Sequence, residues 1–184
     1  MTPMRLPGLL IALCVAAMSA LAVADEPWVL VDTDKHVLTV MQDGKELERF
    51  EHIAIGRGGP STLRRKGDGS TPIGRYRIAW VNEDSPFRIF FGFDFPSPAD
   101  AERGHEAGII DDRDLARIKA AAGGGQVPPQ DTPLGGRLGI HGIGGGDPRM
   151  HREFNWTQGC IALTNQQVDR LARWIGKGTQ VEVR

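Results

Sequence analysis

From Trp28 onward the chain is written in short runs of β-branched and aromatic residues, and this punctuation limits its fold more than any other feature. The runs "WVLVD", "KHVLTVM" and "ELERFEHIAIG" follow one another. Asp43-Gly44 between the second and third supplies the residue pair that a tight hairpin favours. "RYRIAWV" and "RIFFGFDF" continue the series as two more strands with aromatic inward faces. Near the C-terminus "TQVEV" alternates again, with its valines facing one way.

Helical spacing interrupts this pattern twice. In "DDRDLARIKAAAGGG", Leu115, Ile118 and Ala122 recur on one face behind an acidic first turn, with Gly123 as a stop. After Cys160, Thr164 and Gln167 form a capping-box pattern. Val168, Leu171, Ala172 and Ile175 then fall at i, i+3, i+4 and i+7, and Gly176 closes the helix. Gly56–Gly74, Gly123–Gly136 and "GIGGGDPRMHREFNW" are rich in glycine, proline or small polar residues and read as loops. The expected architecture is a mainly β domain with one or two helices packed on it.

Met1–Ala24 stands apart from that domain. Its only charge is Arg5, an apolar stretch runs from Leu9 to Val23, and Ala22-Val23-Ala24 matches a small-x-small cleavage site. The segment reads as a signal peptide, too short and too weakly apolar for a permanent membrane anchor. The mature chain then begins near Asp25, spans about 160 residues, and has the size of one ordinary domain. Loss of Arg5 takes the formal charge from −1 to −2, so no global basic field attracts nucleic acid or an anionic membrane. The local cluster Arg64-Arg65-Lys66 remains a candidate for contact with a site.

With Cys14 in the leader, Cys160 is the one cysteine of the mature chain, so it forms no internal disulfide in an oxidising compartment. A cysteine acts as a nucleophile through its thiolate, which needs a nearby base and backbone donors for an oxyanion. His141, at the end of a predicted strand and followed by Gly142, is the candidate base. Gly159 and Cys160 are the candidate oxyanion donors, with Gly159 clearing the approach of an acyl group. Such a thiol is expected to ionise below the pH of about 8.5 at which a free cysteine is half ionised. Trp156 is placed equally well in the core or in the site wall. His105, His141, His151 and Cys160 could meet around zinc only without any C-x-x-C or H-x-x-x-H spacing, so no metal is expected. "GIGGGD" lacks the Lys-Ser/Thr ending of a phosphate loop and reads as a connector. His36 and His52 lie in predicted strands and receive no role.

The strings "IHG", a glycine-rich spacer and "WTQGCIAL" together resemble the catalytic motif of the L,D-transpeptidase (YkuD-like) domain family. "GDGSTPIGRYRI" and "FDFPSPAD" are similar to its upstream segments, and all occur in the expected order. The resemblance implies an L,D-transpeptidase-like β-sandwich or barrel over residues 25–184, located in the periplasm or cell envelope and concerned with cell-wall biogenesis and cell shape. It implies an attack by Cys160 on a meso-diaminopimelate carbonyl in a peptidoglycan stem peptide, with D-alanine released and the acyl group passed to an amine. His141 would carry the proton, a backbone carbonyl would orient it, and no cofactor would be needed. Trp156, Thr157, Gly142, Arg75 and Tyr76 would border the substrate. Gln158 stands where the commonest family pattern has a second histidine, and Ala162 where it has an arginine. The string Trp-Thr-x-Gly-Cys-Ile-Ala resembles a murein-processing branch that includes hydrolases, so an L,D-carboxypeptidase or amidase is the alternative. A wall-binding module with an inert site is a third reading.

Overall fold

The computed structural model describes residues 25–184, so the expected signal peptide at Met1–Ala24 lies outside the described residues. The chain opens with a meander: β1 (Trp28–Asp32), β2 (Val37–Gln42) and β3 (Lys45–Glu51), antiparallel in turn. Asp43 and Gly44, with φ of 49° and 72°, make the β2–β3 turn that their identities announce. The third run is shorter than its letters suggest. At His52 φ is 59°, which breaks the strand before Ala54 and Gly56 make isolated bridges to Ala162 and Thr157.

A small ladder of β4 (Pro60–Ser61) and β5 (Thr71–Pro72) precedes β6 (Gly74–Ser85) and β7 (Arg88–Phe93). The helices α1 (Pro98–Glu106) and α2 (Asp112–Gly123) follow, then β8 (Gly139–His141), α3 (Pro148–Glu153), β9 (Ile161–Ala162), α4 (Asn165–Leu171) and β10 (Gln180–Val183). The main sheet runs β3-β2-β1-β10-β6-β7-β8-β9. Its long strand β6 pairs with β10 at Gly74–Arg77 and with β7 from Ile78 on, with register shifts that bend it between the two halves. Ala54 and Ala162 exchange backbone hydrogen bonds at 3.0 and 2.7 Å, linking the chain just after β3 to β9, so the sheet curls back on itself.

The apolar faces of both halves meet in one core that includes Val31, Phe50, Ile78, Phe91, Phe93 and Ile161. α4 adds Val168 and Leu171 to this core, its first turn closed by the Thr164–Gln167 capping box. The expected mainly β architecture holds, but four helices are present among the described residues. α1 and α3 each begin at a proline behind a capping side chain, Ser97 and Asp147. Both carry too few core residues to show helical periodicity, which is why neither is expected as a helix from the sequence. Ile118 is the fully buried residue of α2, Leu115 packs partly against the core, and Ala122 faces solvent rather than the core.

Candidate active site

The pairing of β8 with β9 brings the candidate nucleophile and base together. The two strands are parallel, with Ile140 opposite Ile161 and His141 opposite Ala162. Cys160 therefore enters β9 alongside Gly139, and residues opposed in this way point to the same side of a sheet. His141, two places beyond Gly139, shares that side. Both residues line one cavity of about 960 Å³, with Trp156, Thr157, Gln158, Phe87 and Arg137 among the lining residues.

His141 is held on several sides. Its Nδ1 lies 2.7 Å from the Gly142 carbonyl, which assigns the proton to Nδ1 and leaves Nε2 as a lone-pair acceptor. The ring lies 4.5 Å from Phe87, 6.0 Å from Phe90 and, edge-on, 5.9 Å from Trp156, measured between centroids. Burial by these rings holds its pKa below the ordinary histidine value, partly offset by the Gly142 carbonyl. The base is thus a neutral imidazole near pH 7.

Cys160 is half-buried, and its thiol points to the Arg137 carbonyl at 3.7 Å. Burial pushes its pKa up to about 11, against the opposing pull of the Gly139 N–H and the Arg64 charge. This corrects the expectation of a thiolate below pH 8.5: the resting site holds a thiol and a neutral imidazole. No hydrogen bond joins Cys160 to His141 among the described residues, an arrangement common before substrate tightens a site.

The loop before Cys160 is a built turn. Thr157 Oγ1 donates to the Cys160 carbonyl at 2.6 Å and accepts the Gly159 N–H at 3.1 Å. The Gly159 amide is therefore occupied, contrary to its expected role as an oxyanion donor. Glycine is needed there for another reason. With φ at 122°, a Cβ would stand 2.4 Å from the Ser70 carbonyl and 3.2 Å from Arg64 Nε.

Arg64 explains the close packing beneath the loop. Only 6% exposed, it donates to the carbonyls of Ser70, Leu134 and Gln158 at 2.9, 2.9 and 2.8 Å. In the sequence it belongs to a basic cluster, whereas in the fold it binds backbone rather than facing solvent. Gly142 packs behind the cavity, where a Cβ would meet Asn165 Oδ1 and the Phe87 carbonyl at 2.7 Å, and serves the site through its own carbonyl.

Two expected border residues lie elsewhere. Tyr76 is buried, stacked on Phe93 at 5.5 Å, with its hydroxyl near Asp100. Arg75 is exposed, pairs with Glu182 at 3.0 Å, and lines a separate cavity of about 430 Å³. Strand alternation within β6 sends these neighbours to opposite faces, and neither residue lines the cavity that holds Cys160. His105 is bonded to Asp112 between α1 and α2, so it does not join the other histidines. No group of three or more metal-ligating side chains clusters among the described residues. His151 is buried beside the site, with Nδ1 accepting the Trp156 indole N–H at 3.4 Å and Nε2 without a partner among the described residues.

Several lining residues have no site role in the sequence reading: Phe87 and Phe90 from the β6–β7 hairpin, and Val127, Gln130 and Arg137 from the segment after α2. The stretch between Pro96 and Pro133 thus supplies part of the cavity wall.

The sequence matches the family described as L,D-transpeptidase catalytic domain (YkuD) over residues 26–183. The chain belongs to this family. No curated protein matches it. Among solved structures, the helical cell shape determining protein Pgp2 from Campylobacter jejuni aligns with TM-score 0.60 at 22% identity, over 88% of this chain and 49% of that one. Bd1075 of Bdellovibrio bacteriovorus aligns with TM-score 0.56 at 19% identity, over 86% and 48%. An L,D-transpeptidase from Xylanimonas cellulosilytica aligns with TM-score 0.50 at 16% identity, over 89% and 62%. The likeness at these identities is one of fold, and this L,D-transpeptidase domain spans about half the length of the first two proteins.

Proposed function

We propose that the chain is an exported cysteine L,D-transpeptidase acting on peptidoglycan stem peptides through an acyl-enzyme on Cys160. What carries this reading is the presence of Cys160 and His141 on one side of paired β8 and β9, in one cavity, within a domain of this family. The leader-like Met1–Ala24 supports export to the periplasm or cell envelope.

In the proposed reaction a stem peptide brings its meso-diaminopimelate carbonyl over Cys160 Sγ. His141 Nε2 takes the thiol proton as sulfur bonds to the carbonyl carbon, and the carbonyl electron pair moves to oxygen. With the Gly159 N–H occupied by Thr157, the Cys160 amide is the backbone donor of this turn left for that oxyanion. Collapse restores the carbonyl and breaks the C–N bond, while His141 returns the proton to the departing amine and D-alanine leaves. The thioester is then attacked by an amine of a second stem. His141 accepts the incoming proton and passes it to the released sulfur.

Water in place of that amine gives an L,D-carboxypeptidase or amidase. Gln158 at the cavity rim and Ala162 in β9, where the commonest family pattern has histidine and arginine, favour keeping this second reading. Muropeptide products with and without Cys160→Ala separate the possibilities. Diaminopimelate-to-diaminopimelate cross-links made only by the unsubstituted protein indicate transfer, and tripeptide without dimers indicates hydrolysis. Identical product profiles would point to an inert wall-binding module and overturn both.

A further inference from the structure

The cavity over Cys160 and His141 contains a cation that the proposed acyl-transfer steps leave unused. Among the described residues no aspartate or glutamate lines this cavity, and Arg137 supplies its only arginine or lysine. Arg137 is exposed, and its guanidinium makes no hydrogen bond or ion pair among the described residues. Its backbone, in contrast, is fixed at both ends. The N–H donates to Gln130 Oε1 at 2.6 Å, and Gln130 is itself held by donating to the Phe95 and Pro128 carbonyls at 2.8 Å each. The Arg137 carbonyl accepts the Cys160 thiol. With φ at 54°, a conformation uncommon outside glycine, the residue is held where the chain turns from Gln130 toward the nucleophile.

A guanidinium presents paired N–H donors that match the two oxygens of a carboxylate. Exposed ion pairs are weak in open water, but a cavity walled by Trp80, Phe87, Phe90 and Trp156 sheds water when a ligand enters, which strengthens the pairing. Because the Arg137 carbonyl touches the thiol, its side chain begins beside the scissile bond. On the leaving side of that bond, a stem peptide ends in the α-carboxylate of its terminal residue.

We infer that Arg137 is a specificity-determining residue that binds the terminal carboxylate of the leaving amino acid, so that the site selects stems with a free C-terminus. This inference rests on the proposed reaction for its substrate class. Gln130, from the segment between the helices and β8, acts as the brace that holds Arg137 in place.

The test reads binding without turnover, in full-length mature protein carrying Cys160→Ala. Calorimetry compares a synthetic tetrapeptide stem ending in D-alanine with the same peptide ending in D-alaninamide. The acid should bind about tenfold tighter or more, as expected for a charge-assisted bidentate contact. Adding Arg137→Gln should bring the two affinities together, and Arg137→Lys should retain part of the preference. Melting curves confirm that the variants fold, since the side chain is exposed.

Equal affinity for acid and amide, a preference unchanged by Arg137→Gln, or no binding of either peptide would each overturn the assignment. Acylation of Cys160 in the unsubstituted protein is scored separately. Acylation without any acid preference leaves the reaction standing and removes Arg137 from it. Acid-selective binding without acylation does the reverse.

Discussion

The buried guanidinium of Arg64 donates to the carbonyl of Gln158 at 2.8 Å, joining residues far apart in the chain just before the nucleophile. The same group holds the Ser70 and Leu134 carbonyls, so one side chain ties the loop before β5, the segment before β8 and the turn before β9. Arg64→Met would leave three carbonyls without their donor. The expected loss is roughly 3 kcal/mol or more of folding stability, read from urea unfolding. Arg64→Lys should recover less than half of it, because a single ammonium cannot reproduce the planar fork.

The resting thiol gives a second prediction. With burial pushing Cys160 up to about 11, iodoacetamide alkylation of the free protein should be slow at pH 7 and still rising above pH 9. Because no hydrogen bond joins the thiol to His141, His141→Ala should leave that alkylation profile nearly unchanged. The same variant should slow acylation by a stem peptide about 10²- to 10⁴-fold, since the general base acts only in the reaction. A rate plateau below pH 8 would contradict this description of the site.

Stability should depend on pH through two buried histidines. Desolvation lowers the pKa of His141 and of His151, so the unfolded chain binds protons more readily than the folded one. Their contribution is complete above the unfolded histidine value of about 6.5 and declines as pH falls below it. Urea midpoints between pH 7.5 and 5 should therefore decrease, and His151→Phe should flatten part of that slope. A midpoint that rises toward pH 5 has the wrong sign.

Gly159→Ala tests the turn before the nucleophile. The added methyl would meet the Ser70 carbonyl in a backbone conformation that L-residues rarely adopt. The expected cost is about 1–3 kcal/mol, with acylation lost because Cys160 shifts with its loop. Thermal unfolding and adduct formation measure the two effects independently.

Much of the scaffold was legible in local chemistry. The Asp43-Gly44 turn, the alternation in β6, β7 and β10, and the Thr164 capping box each involve neighbours in sequence. Cys160 and His141 were legible for a different reason: few residue types perform this chemistry, and a lone thiol narrows the choice. What stayed hidden depends on distant pairing. Arg64 in "LRRKGD" looks like a solvated charge until Leu134 and Gln158 come beside it. Phe87 and Arg137 look like ordinary hairpin and loop residues until β7 and β8 pair. Tyr76 misled because its motif position is near the strand entry, while strand alternation turns its ring into the core. Gly159 stands out in the sequence as clearing the approach to the thiol, whereas the structure gives it a positive φ and a close contact with Ser70.

The proposed chemistry stands or falls on whether Cys160 carries the acyl group. Intact-protein mass spectrometry of the mature protein, quenched in acid during reaction with a tetrapeptide muropeptide, measures this directly. The expected result is a mass increase equal to the muropeptide less D-alanine, mapped by digestion to Cys160 and absent from Cys160→Ala and His141→Ala under the same conditions. Folded protein that consumes the muropeptide without a Cys160 adduct, and does so equally well with Cys160→Ala, would contradict it.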